Sequence, residues 1–294
     1  MHEFDHIRGN HLLASLLTPG CSDLRSKLEL VPLAAGKVVY ESGGHVRHVY
    51  FPTTSIVSML YIMNDGTLDE IATVGNEGVI GIQPFLGCEA IPSRAFVRSA
   101  GHAFRLEAAL LQKDFSQSLS TQHLLLRYMQ SLLSQISQTG ACNRHHSVRQ
   151  RLCRWLLSSL DRLPSNELQT TQESIAELLN VRRESITQEL GVLKTQGLIR
   201  CQRGRITVVN KSKLEACACE CSGRIRSELC RLRSGFSVLQ VPSDRGEIWD
   251  RRATDSASQA HFDVVPKNSP ALPPKYCARK EGKSFGHHYQ GVPA

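Results

Sequence analysis

The 294-residue chain contains no run of eighteen apolar residues, so it offers no helix able to cross a bilayer. Its opening stretch, MHEFDHIRGNH, has no apolar signal core, and a cytoplasmic protein away from any membrane is the expectation. No Ser/His/Asp set, paired-carboxylate motif or P-loop is recognisable, and Gly-rich turns alone do not make a phosphate loop. An enzyme therefore has no candidate catalytic residues, and neither a cofactor nor a resident metal is expected.

Ten cysteines do not reverse that expectation. Cys21, Cys88, Cys142, Cys153 and Cys201 share no close spacing, and without a secretory signal disulfides are not expected. Only Cys217, Cys219 and Cys221 cluster, as CACEC, with Cys230 beyond. Zinc ligands are usually spaced C-x2-C to C-x4-C. The alternating pattern matches that poorly, against the plainer reading of a helix end carrying small residues.

What is present is a break in charge. The net charge of +8 divides unevenly: residues 1–142 carry 10 Lys+Arg against 12 Asp+Glu, residues 143–216 carry 13 against 7, and residues 217–294 carry 12 against 8. Basicity begins at one boundary, as expected of a chain that meets nucleic acid with one domain only.

The stretch from Thr170 to Val209 explains the boundary. Ile175, Leu178 and Leu179 recur at helical spacing and leave Gln172, Glu173 and Glu177 outside. Thr170 with Glu173 gives the S/T-x-x-E box that satisfies the first amides of a helix, and Asn180 suits a left-handed turn. A second helix carries Ile186, Leu190 and Leu193 on one face and starts Arg182-Arg183-Glu184, with Thr187 and Gln188 one turn on. Gly197 ends it. Arg203-Gly204-Arg205 reads as the tip of a two-stranded wing that returns through Ile206 to Val209. Two helices and a wing around one small apolar centre make a winged helix-turn-helix.

Major-groove base edges suit this helix start. Arg183 can fork onto a guanine, Glu184 can accept from a cytosine amine, and Gln188 suits adenine. Arg203 and Arg205 can hold phosphates, which adds affinity without sequence information. Thr171, Gln172, Arg182 and Thr187 complete the expected DNA-facing set, with double-stranded DNA as partner. A helical hairpin with a merely solvated charged face is the plain alternative.

Upstream, residues 1–30 read as a loosely amphipathic helical segment, with Leu12, Leu13, Leu16 and Leu17 in a stripe broken by Pro19-Gly20. Residues 31–106 alternate short β-rich runs with Gly, Pro and Asn turns, a pattern of a small barrel or jelly roll. Asp65-Gly66 between apolar runs is the strongest hairpin signal. Residues 107–142 read as one long helix whose stripe (Leu119, Leu124, Leu125, Leu126, Met129, Leu132, Leu133, Ile136) is too broad for one barrel to cover, which predicts pairing with a second copy. Residues 143–160 form another helix, Leu152, Trp155, Leu156 and Leu160 facing a core, with Arg144, Arg149, Arg151 and Arg154 elsewhere and His145-His146 solvated. Residues 143–216 make up the reading domain. Residues 217–294, lacking a sustained period, are expected to be a disordered tail.

An α+β chain with an N-terminal β jelly roll, a long dimerisation helix and a C-terminal winged helix-turn-helix resembles the Crp/Fnr superfamily of bacterial transcription regulators. The resemblance covers about residues 30–216 and is most specific in TQESIAELLNVRRESITQELGVLKTQGLI. There Arg183-Glu184 matches the family's recognition-helix pair, while the second specificity arginine falls on Gln188. Gly36, Gly43-Gly44, Phe51-Pro52 and Gly75-Asn76-Glu77-Gly78 follow the family's cyclic-nucleotide-binding roll. The resemblance implies a sequence-specific homodimeric DNA-binding regulator, with RNA polymerase and an unidentified small-molecule effector as further partners. A metabolite-, thiol- or metal-responsive sensor acting through protein contacts is the alternative.

The effector motif is degenerate. Where the family has a glutamate for a ribose hydroxyl, this chain has Gly81-Ile82-Gln83; where it has an arginine for the cyclic phosphate, Ser93-Arg94-Ala95 displaces Arg94 by one. A shift of one residue on a strand turns the side chain to the other face. Glu77 is a candidate substitute that nothing in the sequence places. The iron–sulfur branch of the family is not matched, since Cys21 alone precedes the roll and Cys88 is alone inside it, whereas a cluster needs four thiolates. Calorimetry at high cyclic-nucleotide concentration should therefore detect no binding, and tight binding of cyclic AMP would overturn that expectation.

Overall fold

A computed structural model describes residues 6–17, 22–87 and 93–238. Helix α1 (His11–Leu16) is capped by Asn10, whose side chain accepts from Leu13 N and donates to the carbonyls of Pro52 and Gly78. A short α2 (Ser22–Arg25) follows, then seven strands: β1 (Glu29–Leu33), β2 (Val38–Tyr40), β3 (His48–Pro52), β4 (Ile56–Ile62), β5 (Leu68–Val74), β6 (Arg94–Ser99) and β7 (Gly101–Glu107). They form two antiparallel sheets, β1-β7-β3 and β2-β6-β4-β5. The expected hairpin joins β4 to β5, with Gly66 at φ +85° supplying the turn. Glu29 and Leu30, placed in the helical segment by sequence, begin β1 instead and pair with Arg105 and Phe104.

The stretch expected as one long helix divides at Ser118 into α3 (Ala108–Gln117) and α4 (Leu119–His145). Ser118 adopts an extended conformation and caps α4 by accepting from Thr121 N, so its hydroxyl competes with the continuing helix. A second break falls at His146–Ser147, where a single helix from 143 onward was expected. Ser147 and Gln150 form a complete capping box for α5 (Val148–Leu160).

The reading unit follows as β8 (Glu167–Gln169), α6 (Gln172–Leu178), α7 (Arg183–Thr195), β9 (Ile199–Gln202), β10 (Arg205–Val208) and α8 (Lys211–Cys217). The expected tail is corrected at its near end: Glu220–Val238 form a helix, α9, that places Ile225, Leu229 and Leu232 in buried positions at helical spacing. It packs along α4 and against α1. The rest of the expected tail, 239–294, lies outside the described residues. Among the described residues, no helix is long and apolar enough to cross a membrane.

One core fills the roll, with Leu12, Leu13, Phe51, Phe104, Leu111 and Leu125 almost fully buried. A second centres on Trp155, Ile175, Ile186, Leu193 and Ile206. Leu60, on the outer face of β4, belongs to the second core, so the four-stranded sheet is covered by the reading unit.

One buried ion pair crosses that contact, and a second, within the sheet, extends its arginine across it. Arg162, after α5, is paired with Glu77 at 2.7 Å, with 1% and 3% of the two side chains exposed. Arg162 also donates to Ser158 O and Oγ, Thr73 O and Gln135 Oε1, so its guanidinium is well satisfied. Gly75 makes room for it, since a Cβ there would lie 2.9 Å from the Arg162 side chain. Arg98 of β6 pairs with Glu70 of β5 at 3.2 Å, donates to Ser159 Oγ and stacks 4.6 Å from the Trp155 ring centre.

Removing one partner of a buried pair strands the other charge and costs about 3–5 kcal/mol. Glu77→Ala should lower the urea midpoint accordingly, and Glu77→Leu with Arg162→Met should regain most of the loss. An unchanged midpoint in Glu77→Ala would show the pair to be dispensable.

Candidate nucleic-acid interface

Thr171, not Thr170, caps α6: its hydroxyl accepts from Ser174 N at 3.1 Å, and the expected Thr170/Glu173 box does not form. Thr170 N instead donates to Gly204 O, tying the helix start to the wing. Asn180 takes the left-handed conformation, φ +47°, among the described residues the one non-glycine to do so. The turn it makes delivers Arg182 and Arg183 to the start of α7, where Arg182 is the N-cap residue without a side-chain cap bond. Ile186, Leu190 and Leu193 pin the inner face of α7 in the core.

The outer face is exposed. Arg183 Nε lies 3.4 Å from Glu173 Oε2 with both side chains more than half exposed, a pair worth at most about 1 kcal/mol in water. The one Thr187 hydroxyl proton is shared between Gln172 Oε1 at 2.7 Å and Arg183 O at 3.1 Å, which holds Gln172 of α6 against α7. Glu184 and Gln188 are exposed one turn apart on α7. Gly204, at φ +69°, turns the wing, leaving Arg203 exposed and Arg205 3.3 Å from Glu167. Arg149 is held to Glu189 of α7 at 2.6 Å, and that carboxylate raises its pKa.

One groove between helices and wing is lined by Thr171, Gln172, Glu173 and Arg183 on one side and Gln202, Arg203 and Arg205 on the other. Five of the sequence-predicted residues thus share it: Thr171, Gln172, Arg183, Arg203 and Arg205. Arg182, Glu184, Thr187 and Gln188 lie outside the groove, on the exposed start of α7.

The roll's expected effector positions are occupied by the fold. Arg94 pairs with Glu41 at 2.7 Å on the outside of the roll. Gln83 is buried and donates to Tyr40 Oη, and burial raises the Tyr40 pKa. Glu77, the substitute considered from sequence, is consumed by Arg162. Tyr128 of α4 donates to Val79 O and lies against Gly78, where a Cβ would be 2.2 Å from its ring. A cavity of about 440 Å³ between sheet and reading unit, lined by Leu60, Arg94, Phe96, Arg98, Thr171 and Glu177, carries no sequence motif.

The helix at 143–160 also departs from expectation. Arg151 and Arg154 are buried, Arg151 donating to Leu179 O. Burial pushes the Cys153 thiol up to about 12, which keeps it an inert core residue. Within CACEC, Cys217 packs on the reading unit's core, whereas Cys219 and Cys221 turn towards Cys142. His146, expected to be solvated, is half-buried and its Nε2 lies 3.2 Å from Glu220. Burial raises the pKa of the Cys142, Cys219 and Cys221 thiols.

Residues 150–217 match the family model of the Crp-like helix-turn-helix domain. No curated protein matches the chain. Among solved structures, FixK2 from Bradyrhizobium japonicum is similar at TM-score 0.58 and 16% identity over 65% of this chain and 98% of that one. A protein from Eubacterium rectale assigned to the crp/fnr family of transcriptional regulators is similar at 0.56 and 17%, over 71% and 98%. A CRP-family transcriptional regulator from Thermus thermophilus is similar at 0.55 and 21%, over 64% and 96%. Roll, connecting helices and reading unit together have the fold of the Crp/Fnr transcriptional regulators, and residues 150–217 carry their Crp-like helix-turn-helix domain.

Proposed function

We propose that the chain is a homodimeric, sequence-specific DNA-binding transcription regulator whose roll does not take a cyclic nucleotide. The observation that carries this is the common face shared by the Arg183 end of α7 and the Arg203-Gly204-Arg205 wing tip, in the segment where positive charge concentrates. Arg183, Glu184 and Gln188 serve as base readers in the major groove. Arg182, Arg203 and Arg205 hold backbone phosphates, and Thr171, Gln172 and Thr187 position the reading helix. RNA polymerase and a small effector other than a cyclic nucleotide are the partners this role calls for.

The dimer rests on α4. Its broad apolar stripe divides in two: Leu124, Leu125, Met129 and Leu132 are buried within the chain, whereas Leu119, Leu126 and Leu133 are 73%, 51% and 59% exposed. The exposed three recur every seven residues, the spacing that seats one helix on its own copy. Two copies paired this way place their reading helices in successive major grooves about 34 Å apart on a near-palindromic site.

Selection of bound sites from random DNA should return such a palindrome, and binding to it should weaken steeply with salt. On that site Arg183→Ala should cost about 1–3 kcal/mol and relax preference at one base pair, while Arg203→Ala should weaken all sequences alike. Absence of any preferred sequence, or identical behaviour of the two variants, would refute the division into reader and clamp. Leu126→Glu should convert the dimer to monomer in analytical ultracentrifugation, and a variant that stays dimeric would move the interface off α4.

A further inference from the structure

Four side chains, in two pairs far apart in sequence, converge where α4 ends and α9 begins. Cys142 comes from the last turn of α4 and His146 from its C-cap, Cys219 and Cys221 from the entry and first turn of α9, and their potential ligand atoms all lie within 4.8 Å of one another. Cys142 Sγ is 3.5 Å from Cys219 Sγ, and Cys221 Sγ is 3.5 Å from His146 Nδ1. The three thiols are 0%, 5% and 1% exposed. We propose that Cys142, His146, Cys219 and Cys221 bind one thiophilic divalent cation, best matched by zinc, in a tetrahedral site of three sulfurs and one nitrogen.

The spacing fits a single ion. A zinc about 2.3 Å from sulfur and about 2.0 Å from nitrogen holds its ligand atoms roughly 3.5–3.8 Å apart. Two of the separations already have that value, and the widest needs to close by about 1 Å, within the reach of small side-chain rotations. Sulfurs this close leave no room for a multi-iron cluster with bridging sulfides.

The surroundings supply what such a site requires. His146 turns Nδ1 towards the thiols and Nε2 to Glu220, the carboxylate–histidine arrangement that fixes the ring of a metal ligand and raises its basicity. Gln138 Nε2 donates to Cys221 Sγ at 2.9 Å. Three thiolates and a neutral histidine around a divalent ion leave one negative charge. Arg154 lies beside it, 7% exposed, reaching the Cys142 thiol, with its Nε unpartnered and no ion pair among those described. A buried cation without a carboxylate is costly by itself and is matched by an anionic metal centre. Soft thiolate donors select zinc or copper(I) over magnesium or calcium.

The ion would join three segments: the end of α4, the turn between α8 and α9, and the first turn of α9. It would thereby brace the His146–Ser147 break between the roll's helices and the reading unit. This site stands on its own geometry, and its test needs no DNA.

The full chain, reduced with a phosphine and stripped by chelator, is titrated with zinc against a chromophoric competitor, and separately with cobalt(II). One zinc per chain, a raised unfolding temperature and the intense visible absorption of tetrahedral thiolate cobalt are expected. Glu220→Gln should weaken zinc binding about 10–100-fold. His146→Gln, which keeps a side chain of similar reach, should weaken it further and shift the cobalt spectrum, while Cys201→Ser should leave both unchanged. No uptake at one equivalent, uptake insensitive to His146→Gln and Cys221→Ser, or a Cys142–Cys219 disulfide forming in place of a zinc-binding reduced state would each overturn the proposal.

Discussion

The pair between Arg162 and Glu77 is the constraint around which the molecule is arranged. A guanidinium and a carboxylate removed from water lose several kcal/mol of hydration each, recovered only if geometry and remaining hydrogen bonds are close to complete. Here they are: Ser158, Thr73 and Gln135 take the donors that Glu77 leaves, and Gly75 opens the path for the side chain. That requirement draws the end of α5, the turn after β5 and the middle of α4 to one point. The Arg98–Glu70 pair, with Ser58 and Thr73 on the carboxylate, lies within the sheet and adds one directed bond across the contact, from Arg98 to Ser159. Nonspecific apolar contact would let roll and reading unit slide, whereas these directional bonds admit one docking.

The same constraint explains a motif whose meaning changed. Gly75-Asn76-Glu77-Gly78 follows a ligand-binding roll in sequence, yet each of three of its residues serves internal packing. Gly75 receives Arg162, Glu77 neutralises it, and Gly78 receives the ring of Tyr128. A stretch shaped for a small anion elsewhere can be kept for its backbone geometry alone.

How far the sequence could be read depended on range. The reading unit was legible because its signals are local: apolar residues four apart, Asn at a left-handed turn, Gly at a wing tip. The strands were legible from the turns between them. Local competition blurred the edges, so that Thr171 caps where Thr170 with Glu173 had the stronger motif, and Ser118 interrupts a helix that neither Gly nor Pro marks. The Ser147/Gln150 box was present in the sequence and overlooked within a run of good helix formers. Helix α9 was missed although Ile225, Leu229 and Leu232 keep helical spacing, because arginines surround them and the stretch after it has no period. Burial of Arg151 and Arg154, and the meeting of Cys142 with Cys219, could not be read from spacing, since both arise when distant helices pack.

A quieter feature lies at the start of β5, just past the β4–β5 turn. Asp69 accepts from Asn180 Nδ2 at 3.0 Å, so the β4–β5 hairpin of the front domain meets the bend between α6 and α7. The adjoining recess is shared by Gly66, Thr67 and Leu68 with Glu173 and Arg183. The Asp69 contact joins the hairpin to the left-handed turn residue Asn180, three positions before Arg183. Beside the buried contacts, this exposed bond gives the turn ahead of α7 a support from outside its own domain.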